Sequence, residues 1–439
     1  MPEGWSLARV RDIAMVKGGK RLPKGASFSE EITTHAYIRV TDMKNHSVNI
    51  SNLRYISDEI FSAIKNYTIA KDDLYVTIAG TIGVVGEIPD KLDGMNLTEN
   101  AVKITNIAIN KSFLCIILQT DFVQQQFQDK THQVAMPKLA LERILSTLIP
   151  ICSSVQQQQI VDRFQIYDNF LSTIDTEKEE LQKIVSLSKS KILDLAIRGK
   201  LVPQDPNDEP ASVLLERIRS EKEELIKQGK IKREKKESVI FKGDDNSYYL
   251  RTGGVEESLE DWRLDDLPET WKICCLGELC DYGDCINVNT EDIAEDAWIL
   301  DLEDIEKDTG TVLKKVTKAQ RNSVSKKHKF HSVQVLYSKL RPYLNKVVLS
   351  DADGYCTSEI LPLEFKNCVL PEYARYYLMS GTFIAYANHC SYGVKMPRLG
   401  TTDGKKAIFS LPPLSEQKRI VETIDFCFMQ LNKISEALA

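Results

Sequence analysis

Between Asp308 and Asp351 the sequence contains no acidic residue, and the 42 positions in between hold Lys314, Lys315, Lys318, Arg321, Lys326, Lys327, Lys329, Lys339, Arg341 and Lys346. Ten cations with no interleaved anion make a local positive field, which is the chemistry of phosphate contact, even though the whole chain carries a net charge of -6. A cationic run is more often a solvated face. The missing acids are what point this one to nucleic acid. Lys20, Arg21 and Lys24 form a smaller analogue near the N-terminus, and Lys138 and Arg398 sit in the matching stretches Met136-Pro137-Lys138-Leu139 and Met396-Pro397-Arg398-Leu399. The candidate contacts are therefore Lys20, Arg21, Lys24, Lys138, Lys326, Lys327, Lys329, Lys339, Arg341, Lys346 and Arg398. They would hold phosphates and fix register, while nearby polar and aromatic side chains read a groove. His328 and His331 are assigned to the same surface.

Other chemistries find less support. Gly80-Thr81-Ile82-Gly83-Val84-Val85-Gly86 lacks the dinucleotide spacing and is followed by no Lys-Ser/Thr pair, so a tight strand connection is expected and no cofactor. Cys274, Cys275, Cys280 and Cys285 fall within twelve residues but contain no Cys-x-x-Cys pair, and no metal is expected. Ten cysteines in 439 residues are too sparse for a disulfide scaffold. No apolar run approaches the ~18 residues of a membrane span, and Met1 to Arg11 lacks a signal-peptide core, so a cytoplasmic protein is expected.

The elements that must position these residues come in two copies. Strand-like runs cover Tyr37 to Val40, Leu74 to Ile78, Val84 to Ile88 and Ala101 to Ile104, and a helix is expected from Lys111 to Lys130. Ile160, Phe164, Tyr167, Leu171, Ile174, Leu181, Val185, Ile192 and Leu195 then follow one alternating four-then-three spacing, a coiled-coil seam that Gly199 ends. A second helix, from about Ala211, carries Val213, Leu214, Ile218, Leu225 and Ile226 on one side, with a charged, solvated tail from Lys227 to Glu237. The glycines and acids between Ser238 and Asp266 read as a linker. At Leu267 the chain starts again. Leu267-Pro268-Glu269-Thr270-Trp271 repeats Met1-Pro2-Glu3-Gly4-Trp5, Trp298-Ile299 answers Tyr37-Ile38, Leu336-Tyr337 answers Leu74-Tyr75, and the seam returns at Ile420, Ile424, Cys427, Leu431, Ile434 and Leu438.

Lys191-Ile192-Leu193-Asp194-Leu195-Ala196-Ile197-Arg198-Gly199-Lys200-Leu201-Val202-Pro203-Gln204, with Asp208-Glu209-Pro210-Ala211-Ser212-Val213-Leu214-Leu215-Glu216-Arg217-Ile218, resembles the specificity subunit of type I restriction-modification enzymes. Leu411-Pro412-Pro413-Leu414-Ser415-Glu416-Gln417-Lys418-Arg419-Ile420-Val421 and Leu336-Tyr337-Ser338-Lys339-Leu340-Arg341-Pro342-Tyr343 support the resemblance, which covers essentially the whole chain. It implies a mixed α/β fold in which two repeated target recognition domains are separated by long conserved helices pairing as an antiparallel coiled coil. The domains would be 1–154 and 267–413, with a central helical region 155–237 (helices 155–199 and 211–230), a linker 238–266 and a short C-terminal helix 414–439.

The resemblance further implies a non-catalytic subunit that binds double-stranded DNA at a bipartite target. It would position two modification subunits, which use S-adenosylmethionine to methylate adenine, and restriction subunits, which use ATP and Mg2+. The chain itself would hold no cofactor. Agreeing with this by omission, Pro412-Pro413 lies between two leucines and does not form the adenine-methyltransferase signature.

Two departures are visible. The second unit stops at Ala439, equivalent to Glu179, so antiparallel pairing would leave Ile160, Phe164, Tyr167, Leu171 and Ile174 facing no helix of this chain. Those five are the candidate subunit contacts. The Gln156 to Gln159 run also lacks the charge pattern of Glu416 to Arg419. The competing class is a coiled-coil scaffold that binds only proteins, and a third is a free-standing methyltransferase.

Overall fold

Leu74-Tyr75-Val76-Thr77 forms a strand whose four residues are all buried, which is why it reads as a continuous apolar run and not as an alternating one. It lies inside an antiparallel sheet ordered Met15–Gly18, Ala101–Thr105, Leu74–Thr77, Val85–Glu87. The computed structural model describes residues 2–129, 138–230, 238–262, 267–321 and 324–438. It divides into two units, Met1–Thr176 and Glu177–Ala439, the cut falling inside the helix Ser154–Ile197. The expected turn residues Met136 and Pro137, Lys130 of the expected helix, the tail 231–237 and positions 263–266 lie outside the described residues.

In the first unit a second sheet, Arg54–Tyr55, Ala36–Ile38, Met95–Leu97, Thr68–Ile69, contains one parallel pair, with Asn96 opposite Tyr37 and Leu97 opposite Ile38. Behind the antiparallel sheet the expected single helix is two, Lys111–Gln119 and Asp121–Asp129. Thr120 is extended and its hydroxyl bonds the Ile117 carbonyl at 2.7 Å, the side-chain competition that makes threonine a helix breaker. Phe113, Leu114, Leu118 and Phe127 of these helices close the core over Leu74, Val76, Val102 and Ile104.

The second unit repeats this plan. An antiparallel sheet Val347–Leu349, Val335–Ser338, Ile360–Leu363 lies beside a five-stranded sheet in which Ile299 is opposite Tyr355 and Leu300 opposite Cys356, again in parallel. The register corrects two sequence pairings by one residue. Tyr37 corresponds to Ile299, not Trp298, and Tyr75 corresponds to Leu336, which faces Pro362 as Tyr75 faces Lys103. One buried side chain is repeated in detail. Gln157 accepts from the Asn110 amide at 3.0 Å and donates to the Cys152 carbonyl at 2.8 Å, while Gln417 accepts from the Leu370 amide at 2.8 Å and donates to the Pro412 and Cys368 carbonyls.

The helix Ser154–Ile197 ends as expected at Gly199, where Lys200 N bonds the Leu195 carbonyl at 2.9 Å. Glycine is required there: φ is +65° and a Cβ would meet Pro268 at 2.5 Å. Its last turns pair with the C-terminal helix Leu414–Ala437 in the antiparallel sense. Lys189 reaches Asn432 at 2.6 Å and lies over the Phe428 ring, while Leu193, Ala196 and Ile197 share a core with Ile424 and Ile420. The helix Ala211–Lys227 buries Ala211, Leu214, Leu215 and Ile218, whereas Val213 and Leu225 face solvent.

The span 238–266 is not a bare linker. Its described residues form a three-stranded meander, Ser238–Lys242, Tyr248–Thr252, Val255–Ser258, whose Ile240 and Leu250 pack on Leu259, Ile273, Cys275 and Ile408. The glycines and acids that suggest a linker serve the turns: Asp245 accepts from Ser247 N at 3.0 Å, and Gly253 and Gly254 both have positive φ.

Candidate nucleic-acid interface

Folding brings acids from outside the basic interval onto it. Lys315 pairs with Asp351 at 2.7 Å, Lys318 with Glu295 at 3.0 Å, and Arg321 bridges Asp301 at 2.6 Å and Asp304 at 2.5 Å. Lys314 approaches Asp304 at 3.7 Å. Lys327, expected on the surface, is only 2% exposed and lies 3.9 Å from Asp301. Lys346 is turned inward as well, donating to the Leu302 carbonyl at 2.6 Å, and burial lowers its pKa. Both candidates are corrected: the strand position of Lys327 places its ammonium under the surface beside Asp301, and Lys346, half-buried, has its ammonium held by a backbone carbonyl. His328 is likewise buried, bonded through Nδ1 to Ile360 O at 2.8 Å, and burial lowers its pKa, while His331 pairs with Glu364 at 2.6 Å. Lys326, Lys329, Lys339 and Arg341 are the cations of the interval that have no ion pair among the described residues; the first two are exposed and the others half-buried.

The candidates with the clearest shared geometry lie at one corner of each unit. Leu139 N donates to Ile78 O at 2.9 Å and Leu399 N donates to Lys339 O at 3.0 Å, so Lys138 and Arg398 occupy the same place in the repeat. Beside each, the chain passes from the mixed sheet to the antiparallel one, through Thr98-Glu99-Asn100 in the first unit and Thr357-Ser358-Glu359 in the second.

In the first unit Lys138 Nζ donates to Glu99 O at 3.4 Å and Arg21 Nε to Glu99 Oε1 at 2.7 Å. Burial would raise the Glu99 pKa, but the bonds and charge of Arg21 outweigh it and hold it low. Lys20 lies over the Tyr67 ring and Lys24 is exposed. A cleft of about 390 Å³ opens here, lined by Arg21, Tyr37, Arg39, Thr41, Thr98 and Asn100. Its mix of donors and acceptors suits groove edges.

In the second unit Arg398 grips Glu359 through Nε and Nη2, and its backbone bridges both Leu340 and Tyr392. Arg341 N donates to Pro397 O at 2.7 Å, and Arg341 adopts a left-handed φ of +51°. Tyr343, Tyr392 and Lys395 are exposed around this corner. Glu359, Asn100 and Tyr392 escaped the sequence reading because it sought cations. The repeat offset between Lys138 and Arg398 was the signal that could have led to them.

Of the seam residues named as subunit contacts, Tyr167 and Leu171 are 67% and 60% exposed, and Phe164 and Ile174 are also exposed. Ile160 is half-buried on the first unit's own core and is withdrawn from that set. The cysteines behave as small core residues: Cys274, Cys275 and Cys280 are buried, and burial pushes the Cys275 thiol up to about 12. Among the described residues no group of His, Cys, Asp and Glu is placed to hold a metal, and no helix is long and apolar enough to cross a membrane.

The family described as type I restriction modification DNA specificity domain matches residues 2–184 and 268–437. The sequence is 28% identical over 319 residues to the type I restriction enzyme EcoAI specificity subunit of Escherichia coli, a match covering 70% of this chain and 50% of that protein. It is 37% identical over 161 residues to the EcoEI specificity subunit of the same organism, covering 37% of this chain and 22% of that protein. The matched part is thus half or less of these relatives' own length. The crystal structure of the HsdS subunit from Thermoanaerobacter tengcongensis aligns with a TM-score of 0.51 at 16% identity, over 100% of this chain and 93% of that one, a likeness of fold.

Proposed function

Because the chain belongs to the family of type I restriction modification DNA specificity domains, we propose that it is the DNA-specificity subunit of such a system and recognises a bipartite duplex target. The observation that carries this is the family match over both copies of the repeat, 2–184 and 268–437. The repeated corner supports it, since each unit sets a cation beside a half-buried glutamate, Glu99 or Glu359. We assign one half-site to residues 1–154 and the other to 267–413. Lys20, Arg21, Lys24, Lys138, Lys326, Lys329, Lys339, Arg341 and Arg398 are the proposed DNA contacts.

The subunit does no chemistry in this reading. Modification subunits bring S-adenosylmethionine and flip the target adenine out of the duplex, and restriction subunits bring ATP and Mg2+. The chain positions them on DNA. The exposed apolar side chains Phe164, Tyr167, Leu171 and Ile174 are the proposed docking face for a modification subunit, because an exposed apolar row of this length favours burial against a partner.

The test is adenine-methylation mapping in cells carrying this chain with its modification partner, together with duplex retention at rising salt. A split recognition sequence and a steep fall of affinity with salt are expected. Salt-independent retention, or methylation without any sequence preference, would favour the protein-only scaffold.

A further inference from the structure

Arg398 holds its donors in a pattern that leaves one edge open. A guanidinium has five N–H groups in one plane. Nε faces both Glu359 oxygens at 3.1 Å, Nη2 gives one hydrogen to Glu359 Oε1 at 2.7 Å, and Nη1 gives one to the Met396 carbonyl at 3.2 Å. One N–H therefore remains on each terminal nitrogen. The side edge of the fork is taken, and each terminal nitrogen keeps one donor, a pair able to meet O6 and N7 of guanine in the major groove when the Met396 carbonyl takes the inward hydrogen of Nη1.

The surroundings fit a recognition corner. The Arg398 side chain is 31% exposed, so its free edge is reachable while its stem is held. Tyr392, bridged to Arg398 through the backbone, is exposed, and neighbouring Arg341 is held at a positive φ that a non-glycine residue adopts only under constraint. Glu359 fixes the arginine before DNA arrives, so less rotamer freedom is lost on contact.

We propose that Arg398, positioned by Glu359, reads a guanine in the half-site bound by residues 267–413. This rests on the DNA-specificity reading above. Lys138, at the same place in the first unit, offers a point charge and not a fork, so the two half-sites are read differently at this corner.

The experiment uses the complex of this chain with its modification subunits and the target defined by methylation mapping. Each guanine of the second half-site is replaced in turn by 7-deazaguanine, which lacks N7. One such replacement should weaken wild-type binding about 10-fold or more, and Arg398→Ala, which removes every donor, should abolish that penalty while relaxing discrimination at that base pair alone by about 10- to 100-fold. Glu359→Gln should show the same change at the same position, smaller in size. Discrimination within the first half-site should persist in both variants, which separates lost reading from lost folding; if Arg398→Ala loses both half-sites, the Glu359→Gln profile decides.

A second half-site without guanine, an Arg398→Ala complex that keeps the full 7-deaza penalty, or a weakening equal on all sequences would overturn the assignment. The last result would make Arg398 a phosphate contact. A wild-type complex with no sequence preference would instead overturn the specificity reading itself.

Discussion

The indole Nε1 of Trp271 donates to Glu416 Oε2 at 2.9 Å, and Gln204 Nε2 donates to the other oxygen of the same carboxylate at 2.6 Å. The restart of the repeat, the segment after the long helix and the first turn of the C-terminal helix thus meet at one buried acid. Glu416→Ala should destabilise the protein by about 1–3 kcal/mol, because the buried Trp271 indole loses its acceptor while the exposed Gln204 turns to solvent. Thermal unfolding of the two proteins measures this.

Burial raises the Glu416 pKa, outweighing the bonds from Trp271 and Gln204 that lower it. A carboxyl with a higher pKa folded than unfolded stabilises the fold most below the unfolded value, about 4.3, and that contribution is lost as pH rises through the folded value. Wild-type protein should therefore gain stability over Glu416→Gln as the pH falls from neutral toward the unfolded carboxyl value. Parallel pH profiles would contradict the shift.

Asp42 and Asp304 end the same 3-10 turn in the two units, and both are buried. In the first unit the balancing cation is Arg39, at 2.6 Å; in the second, Asp301 stands at that position and Arg321 reaches in from elsewhere. Arg321→Ala should cost about 3 kcal/mol by leaving the buried Asp304 with only the more distant Lys314, at 3.7 Å, to balance it. Adding Asp301→Arg should restore part of that, since it copies the first unit's solution. A double variant no more stable than Arg321→Ala would refute the equivalence.

Lys326 and Lys329 are exposed whereas Lys327 between them is buried beside Asp301. Replacing Lys326 and Lys329 with alanine should weaken binding to all duplexes and make the salt slope shallower, at unchanged thermal stability. Lys327→Ala should do the reverse, lowering stability. Binding titrations at several salt concentrations, paired with unfolding curves, distinguish the two.

Tyr167→Lys with Leu171→Lys changes exposed side chains and should leave the subunit's own stability within about 0.5 kcal/mol. Capture of modification subunits should fall. Inserting residues into the long helix, 44 residues and so about 66 Å, should alter the unread gap between half-sites and leave their sequences unchanged. Exchanging residues 1–150 should change one half-site only, and methylation maps would show it.

The duplication, the strand runs and the stop at Gly199 were legible in the sequence, because each depends on local spacing or on a pattern recurring 260 residues later, whereas the antiparallel helix pairing was expected only from the family resemblance. The linker reading of 238–266 failed for a local reason: turn residues were weighed and the apolar pairs Ile240 and Leu250 were not. The charge of the interface was a different matter. A run of ten cations without an acid is a fact of order along the chain, whereas electrostatics acts through space at a few ångströms. Only the tertiary structure brought Glu295, Asp301, Asp304 and Asp351 onto that run, turned Lys327 and Lys346 inward and left Arg398 with a free edge beside Glu359.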